Sequence, residues 1–235
     1  MTLTGRVTDY DPNSGLMTIT AEYGNFLDVI RKGYRECEIR LDDGRAISAK
    51  QRRKARAIVA DICTWAGYDV RTEADNVHET LKAYMCDEWG YEDFSLGNTD
   101  MTTAREYINY LINFCLRNDV PCLDSLLNRT DDIDAYLYAC LFYGKCCICG
   151  KRGDLHHEEA IGMGRDRTQI IHEGIPAIEL CRVHHTEAET IGREAFREKY
   201  HVYGIPLDKI LCRKHGLKTA DIRDKAYLKG VRHAE

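Results

Sequence analysis

Thiols and imidazoles crowd the stretch between positions 146 and 215. Cys146-x-x-Cys149-Gly150 is a knuckle: two thiolates two residues apart can grip one ion, and the glycine permits the tight turn behind them. A second half-site follows at Cys181-x-x-His184, in IELCRVHH, so the four read C-x2-C-x31-C-x2-H. Four soft or borderline donors in paired knuckles suit a closed, tetrahedral structural zinc site. Cys212-x-x-His215, in ILCRKHG, is a rival second half. A thiol redox pair at Cys146 and Cys149 is another reading, against which the adjacent Cys147 and the histidine context count.

If Cys146, Cys149, Cys181 and His184 hold zinc, three imidazoles remain beside them. His156 and His157 stand side by side in GDLHHEEAIGMGRDR, just after the first knuckle, and His185 directly follows the second. The zinc would staple the strand carrying the pair to the helix carrying His185. Adjacent residues on a strand point to opposite faces, so His156 and His157 are not expected to serve one ion together. One should ligate and the other act beside it.

That division of labour suits metal-assisted phosphodiester hydrolysis. One imidazole holds a divalent ion against the scissile phosphate, and a neutral one takes the proton of the attacking water. The expected roles are His156 and His185 as ligands of the catalytic ion and His157 as general base. Glu189, one helical turn after His185 and on the same face, is the expected third ligand. A carboxylate there favours Mg²⁺ or Mn²⁺. His201 is a further candidate.

These groups need elements to hold them. Residues 1 to about 45 read as strands and turns: LTGRVTDYD and LMTITAEYG joined by the turn signal DPNSG, then CEIRLDDGRAI. A helix starts at the capping box Ser48-x-x-Gln51, carries Ala55, Ile58, Val59, Ile62 and Ala66 at helical spacing, and ends at Gly67. The pattern predicts a second helix over about 76–89. A third should begin at Thr103-x-x-Glu106 with Tyr107, Ile108, Leu111, Ile112 and Cys115 on one face, and a fourth cover about 131–143. The expected class is α+β, a small N-terminal β-sheet plus helices followed by a zinc-stapled domain. The expected division is 1–130, 131–201 and a basic extension over 202–235.

Composition narrows the setting. The 235 residues carry a formal net charge of −5, unevenly spread: Val70–Cys140 holds 5 Lys/Arg against 14 Asp/Glu, His201–Glu235 8 against 4. A basic tail beside an acidic middle permits a local nucleic-acid face. Arg165 and Arg167, in the glycine-flanked GMGRDR, are candidate phosphate contacts, as are Arg52 and Arg53 within the run Lys50, Arg52, Arg53, Lys54 and Arg56. Tyr227, Lys225, Lys229 and Arg232 could extend the contact, although an exposed helix face explains either run equally simply. No apolar run reaches membrane-spanning length and MTLTGRVTDYDPNSG lacks the signal-peptide pattern, so a reducing cytoplasm is expected and no membrane partner. There the eleven cysteines are not a disulfide framework; Cys37, Cys63, Cys86, Cys115, Cys122 and Cys140 read mostly as small buried hydrophobes.

The order CxxC, LHH, a loop, then LCRVHHTEAETIGREAF resembles the HNH endonucleases of the ββα-metal type, especially phage-encoded ones, over about residues 140–201. The resemblance implies a β-hairpin and one helix around a catalytic ion, with the first histidine of LHH a ligand and the second the base. The chain departs from that pattern at Pro176, where the central Asn would fall; that Asn usually braces the base-bearing loop, and Glu179 and Glu187 are the candidate substitutes. At Glu189 related sequences often carry histidine. DDGRAISAKQRRKARAIVADIC and FSLGNTDMTTAREYINYLINF, over about 40–120, resemble phage recombination proteins of the Orf (NinB) type, which implies single-stranded DNA and single-strand-binding protein as partners and a homodimer. The expected activity is therefore metal-dependent DNA cleavage on recombination or replication intermediates, phage or prophage encoded and acting in a bacterial host. The alternative is a non-catalytic zinc module that binds DNA or a recombination partner.

Overall fold

The computed structural model describes residues 5–22, 24, 27, 31–33, 39, 44–158 and 170–219. It divides into two compact units, Met1–Leu41 and Asp42–Glu235. In the first, β1 (Gly5–Asp11) pairs antiparallel with β2 (Leu16–Ala21), with a register shift between Val7 and Asp9. The DPNSG turn closes on Asp11, whose carboxylate accepts from the Asn13 N–H at 2.9 Å and the Ser14 hydroxyl at 2.6 Å. Most of the CEIRLDDGRAI strand lies outside the described residues, as does Cys37.

The second unit opens on α1 (Ala49–Trp65). Its capping box forms as the sequence predicts: Gln51 N–H donates to Ser48 Oγ at 3.1 Å, and Gln51 Oε1 accepts from the Ser48 N–H at 3.0 Å. Ala55, Ile58, Val59 and Ile62 then face inward and are buried. Helix α2 (Val70–Trp89) starts earlier than its apolar pattern suggests, because Asp69 caps it by accepting from the Arg71 N–H. Helix α3 (Met101–Asn118) is capped by Asp100, which accepts from the Thr103 N–H at 2.8 Å, so the start lies two residues before Thr103. Backbone bonds from Ile47 N–H to Thr99 O and Met101 N–H to Arg45 O hold that start against the entry to α1. A short α4 (Leu126–Arg129), capped by Ser125, is too brief to leave a periodic signal.

Helix α5 (Ile133–Tyr143) joins the helical layer to the metal-ligating region. It packs on α3 and also on β4 (Pro176–Leu180), so one apolar core runs from Ile58 and Leu111 through Leu137 and Leu141 to Leu180. The sheet beneath it is antiparallel, with β3 (Asp154–His157) and β5 (Ile205–Pro206) either side of β4. Helices α6 (Arg182–Ile191), α7 (Arg193–Tyr200) and α8 (Lys209–Lys214) complete eight helices among the described residues. None is long and apolar enough to cross a membrane.

One buried ion pair ties α4 to α1. Arg129 donates to Asp61 Oδ2 at 2.5 Å, with both side chains under a tenth exposed, and the Leu123 N–H also donates to that oxygen at 3.2 Å. Removing one member strands a buried charge. Arg129→Met is expected to cost about 3–5 kcal/mol, and urea denaturation checks it; a loss below about 1 kcal/mol would show that water already reaches the pair.

Candidate active site

The first knuckle is a small hairpin between α5 and β3. Helix α5 ends on Gly144 in the left-handed conformation, and the chain returns through Lys145 paired with Arg152. Between them Gly150 takes φ +69° and its N–H donates to Cys146 O at 2.8 Å, the tight turn the CxxCG spacing requires. Gly153 is needed for a different reason: a Cβ there would meet Glu179 Cγ at 2.8 Å and Cys146 N at 3.2 Å. The hairpin is pinned to β4 by the Cys147 N–H donating to Glu179 O, and Tyr136 of α5 donates to Cys147 O at 2.8 Å.

Cys181 is the residue from which α6 starts, and His184 lies on its first turn. The two half-sites meet: the donor atoms of Cys146, Cys149, Cys181 and His184 all lie within 4.8 Å of one another. Cys149 Sγ is 3.7 Å from Cys181 Sγ, and His184 Nδ1 is 3.3 Å from Cys146 Sγ and 3.2 Å from Cys181 Sγ. Sulfurs about 2.3 Å from a tetrahedral zinc would be about 3.8 Å apart, so the pocket has the size of that ion. Burial pushes the Cys146 thiol up to about 12; a thiolate there needs a cation's charge beside it. At Cys181 burial acts in the same direction but is outweighed, chiefly by the backbone N–H of His184, and the thiol is lowered. The Tyr200 ring stands edge-on to His184 and its hydroxyl donates to Glu187 at 2.9 Å. The rival ligands go elsewhere: Cys212 is fully buried, and His215 Nε2 meets Leu141 O at 2.9 Å.

Because α6 starts at the cluster, His185 is delivered to β3. His156 Nδ1 and His185 Nε2 are 3.1 Å apart, with the rings edge-on. Two nitrogens sharing adjacent positions on a six-coordinate ion at about 2.1 Å would be about 3.0 Å apart. Glu189 sits on the far side of His185, 3.4 Å from Nδ1. It lies near that outer nitrogen without a hydrogen bond to it, rather than beside the nitrogen that faces His156. A hollow of about 170 Å³ opens beside this pair, lined by His156, His157, Glu189, Arg193 and Arg197 among others. A larger one, about 560 Å³, lies beside the knuckle between Cys115 and Lys151 and holds none of the three imidazoles.

The register pairs His156 with Ile178 and His157 with Ala177, so the two histidines leave the sheet on opposite faces, as the strand period requires. His157 Nε2 lies 3.2 Å from His172 Nδ1, while its Nδ1 is buried without a hydrogen-bond partner. Burial first, then the charges of His172, His156 and His215, push the His157 imidazole down to about 4, so it is neutral at physiological pH. Burial also lowers His156.

A family model described as "Putative HNHc nuclease" matches residues 22–218. The chain belongs to this HNHc nuclease family. No curated protein and no solved structure matches it. The family match spans both the histidine region and the helical layer before it, including the 40–120 stretch that resembles Orf (NinB) proteins; nothing in the comparisons supports that second resemblance.

The remaining expected residues divide clearly. Glu187 is engaged by Lys199 and Tyr200 beside His184, away from His157. Glu179 is buried behind β3 and pushed up to about 8 by burial and the Asp154 charge, so it is a neutral acid; its Oε2 has no hydrogen-bond partner. His201 ends α7 with φ +55° and is exposed. Of the basic run on α1, Lys54 is bound to Thr130 O and Asp131 and Arg56 to Asp75, which leaves Lys50, Arg52 and Arg53 exposed; Arg52 also donates to Gly97 O at 3.3 Å. Arg165 and Arg167 lie outside the described residues, as do Lys225, Tyr227, Lys229 and Arg232. Two groups escaped the sequence reading. Glu158, directly after the pair, is buried and held by the Arg197 guanidinium, with Nε to Oε1 at 2.9 Å. His172 stands alone in the sequence, without a motif to mark it.

The cluster predicts that the purified chain carries a single zinc. Cys181→Ser should lose it and lower the unfolding temperature. Elemental analysis with thermal denaturation checks this; a variant that keeps both metal and melting temperature would remove Cys181 from the ligand set.

Proposed function

We propose that this HNHc family member is a metal-dependent DNA endonuclease whose reaction centre is the His156–His185 pair with His157 beside it. The observation that carries the reading is the 3.1 Å approach of His156 and His185 from β3 and the first turn of α6, next to a four-ligand cluster that fixes both elements. In this reading Cys146, Cys149, Cys181 and His184 hold a structural zinc. His156 and His185 hold Mg²⁺ or Mn²⁺, with Glu189 at the outer nitrogen of His185. A bound divalent cation supplies positive charge for the pentacovalent transition state and the departing 3′-oxygen.

The chain's own residues do the rest. His157, neutral, accepts a proton from water on its unpartnered Nδ1. The water oxygen bonds to phosphorus, the bond from phosphorus to the 3′-oxygen breaks, and the leaving oxygen is protonated from solvent. Arg193 and Arg197, one turn apart on α7, border the same hollow; Arg193 suits a flanking phosphate, whereas Arg197 is engaged by Glu158. Residues 131–201 carry the chemistry. Arg52 and Arg53 on α1, with Arg165 and Arg167, extend contact along the DNA backbone, as does the basic 202–235 extension.

The finer assignment rests on sequence resemblance: recombination or replication intermediates, branched or single-stranded, as substrate; single-strand-binding protein as partner; a homodimer; a phage or prophage origin and a bacterial cytoplasm as setting. The non-catalytic zinc module is favoured by one feature, Pro176 in place of an amide side chain.

A cleavage assay separates the two. Labelled duplex, single-stranded and four-way branched DNA would be incubated with the zinc-loaded chain in Mg²⁺, Mn²⁺ or EDTA. Cutting is expected only with added divalent cation, and His157→Ala should reduce it about 10²- to 10⁴-fold with the zinc retained. Full activity in that variant would remove His157 as the base. Binding without cutting under every cation would leave the zinc-containing DNA-binding module.

A further inference from the structure

The proposed base needs one ring nitrogen free and the other held, and the chain holds it with a residue outside the HH and HH motifs. His157 Nε2 lies 3.2 Å from His172 Nδ1, with the two rings tilted by only 31° and their centroids 5.0 Å apart. The nitrogen–nitrogen approach lets an N–H on one ring point at the lone pair of the other. Among the described residues no other side chain hydrogen-bonds either ring nitrogen of His157. His215, on the same side of the sheet, is committed to Leu141 O, and Glu179 has no bond to the ring.

His172 is itself fixed. Its N–H donates to Lys218 O at 3.0 Å and its carbonyl accepts from the Ile175 N–H at 3.0 Å; the turn continues through Gly174, at φ +82°, whose N–H donates to Leu207 O. The turn is thus tied to the chain before and after α8. The backbone that carries the imidazole is therefore held in place beside β3.

We propose that His172 is a positioning residue for His157: its Nδ1 accepts the Nε2–H of His157 and so locks that ring in the tautomer whose lone pair is on Nδ1. This rests on the reading of His157 as the general base. The unpartnered, buried Nδ1 of His157 is then the proton acceptor. A buried polar atom without a partner calls for an explanation, and catalysis supplies one. With the opposite tautomer, Nδ1 would carry a hydrogen and could accept nothing. A second group that fixes tautomer and orientation is the usual requirement of a histidine base. His172 never touches the reacting atoms.

The test uses the zinc-loaded full chain and two substitutions. His172→Phe keeps a planar ring and removes the acceptor; His172→Asn restores a side-chain acceptor at similar reach. Nitrogen-15 NMR of histidine-labelled protein reads the His157 tautomer independently of any cleavage. The wild type and His172→Asn should show the Nε2–H form, and His172→Phe a mixture. On labelled DNA with Mg²⁺, His172→Phe should lower kcat about 10- to 100-fold with KM within about twofold, and His172→Asn should recover most of it. Zinc content and melting temperature should stay at the wild-type values in both variants.

An unchanged tautomer in His172→Phe, or an unchanged kcat, overturns the proposal while leaving His157 as the base. A wild type that cuts no DNA with any divalent cation overturns the nuclease reading instead; a tautomer that still follows position 172 would then keep the pairing as a ring-orienting contact alone.

Discussion

The candidate site depends on one local constraint, the convergence of Cys146 and Cys149 with Cys181 and His184. The hairpin after α5 and the first turn of α6 are far apart in sequence. Four donor atoms within 4.8 Å give them a common centre. Everything chemical follows from where that leaves β3 and α6. His185 is the next residue after a ligand, so fixing His184 fixes its neighbour to within one side chain's reach of His156. An ion bound there would add its binding energy to the folding energy and reinforce the core around the cluster.

The second constraint is the period of the β-strand. Two adjacent histidines on β3 cannot converge, and the sheet separates their tasks. One face carries His156 toward His185, with Glu189 behind His185 and the arginines of α7 bordering the hollow. The other carries His157 toward His172, with Glu179 and His215 nearby. The faces differ in character. The hollow at the first is lined by apolar side chains such as Ile178, Leu180 and Phe196 together with His156, Glu189 and the two arginines. On the second, burial lowers the His157 imidazole and raises the Glu179 carboxyl, although His157 also borders the hollow that His156 lines. One short strand thus presents two imidazoles in different environments.

The helical layer serves this arrangement through α5. That helix packs on α3 on one side and on β4 on the other, and Tyr136 reaches the knuckle backbone directly. The sheet has only three strands and β5 is two residues long. Such a sheet is marginal alone. Packing against α5 and α6 gives it a buried face, and the family match over 22–218 covers the helices and the histidine region together.

What the sequence determined by itself was local chemistry and local order. The C-x2-C and C-x2-H spacings specify which donors can share an ion, and the HH pair on a strand specifies opposite faces, because both follow from bond geometry over a few residues. The Ser48 box and the apolar face of α1 were legible for the same reason, and the DPNSG turn likewise. The α3 cap at Asp100 was not: the Thr103 box puts the start too late, and the contacts of Thr99 and Met101 with the α1 entry hold the helix start at Asp100. Tertiary structure alone decided the rest. It chose Cys181 and His184 over Cys212 and His215, because α8 turns His215 toward the α5 carbonyls instead of the knuckle. It moved Glu189 behind His185, and it brought His172 to His157. A lone histidine on a turn carries no spacing signal; its role depends on a hydrogen bond across space, and only the packing of the turn against the chain around α8 places it there.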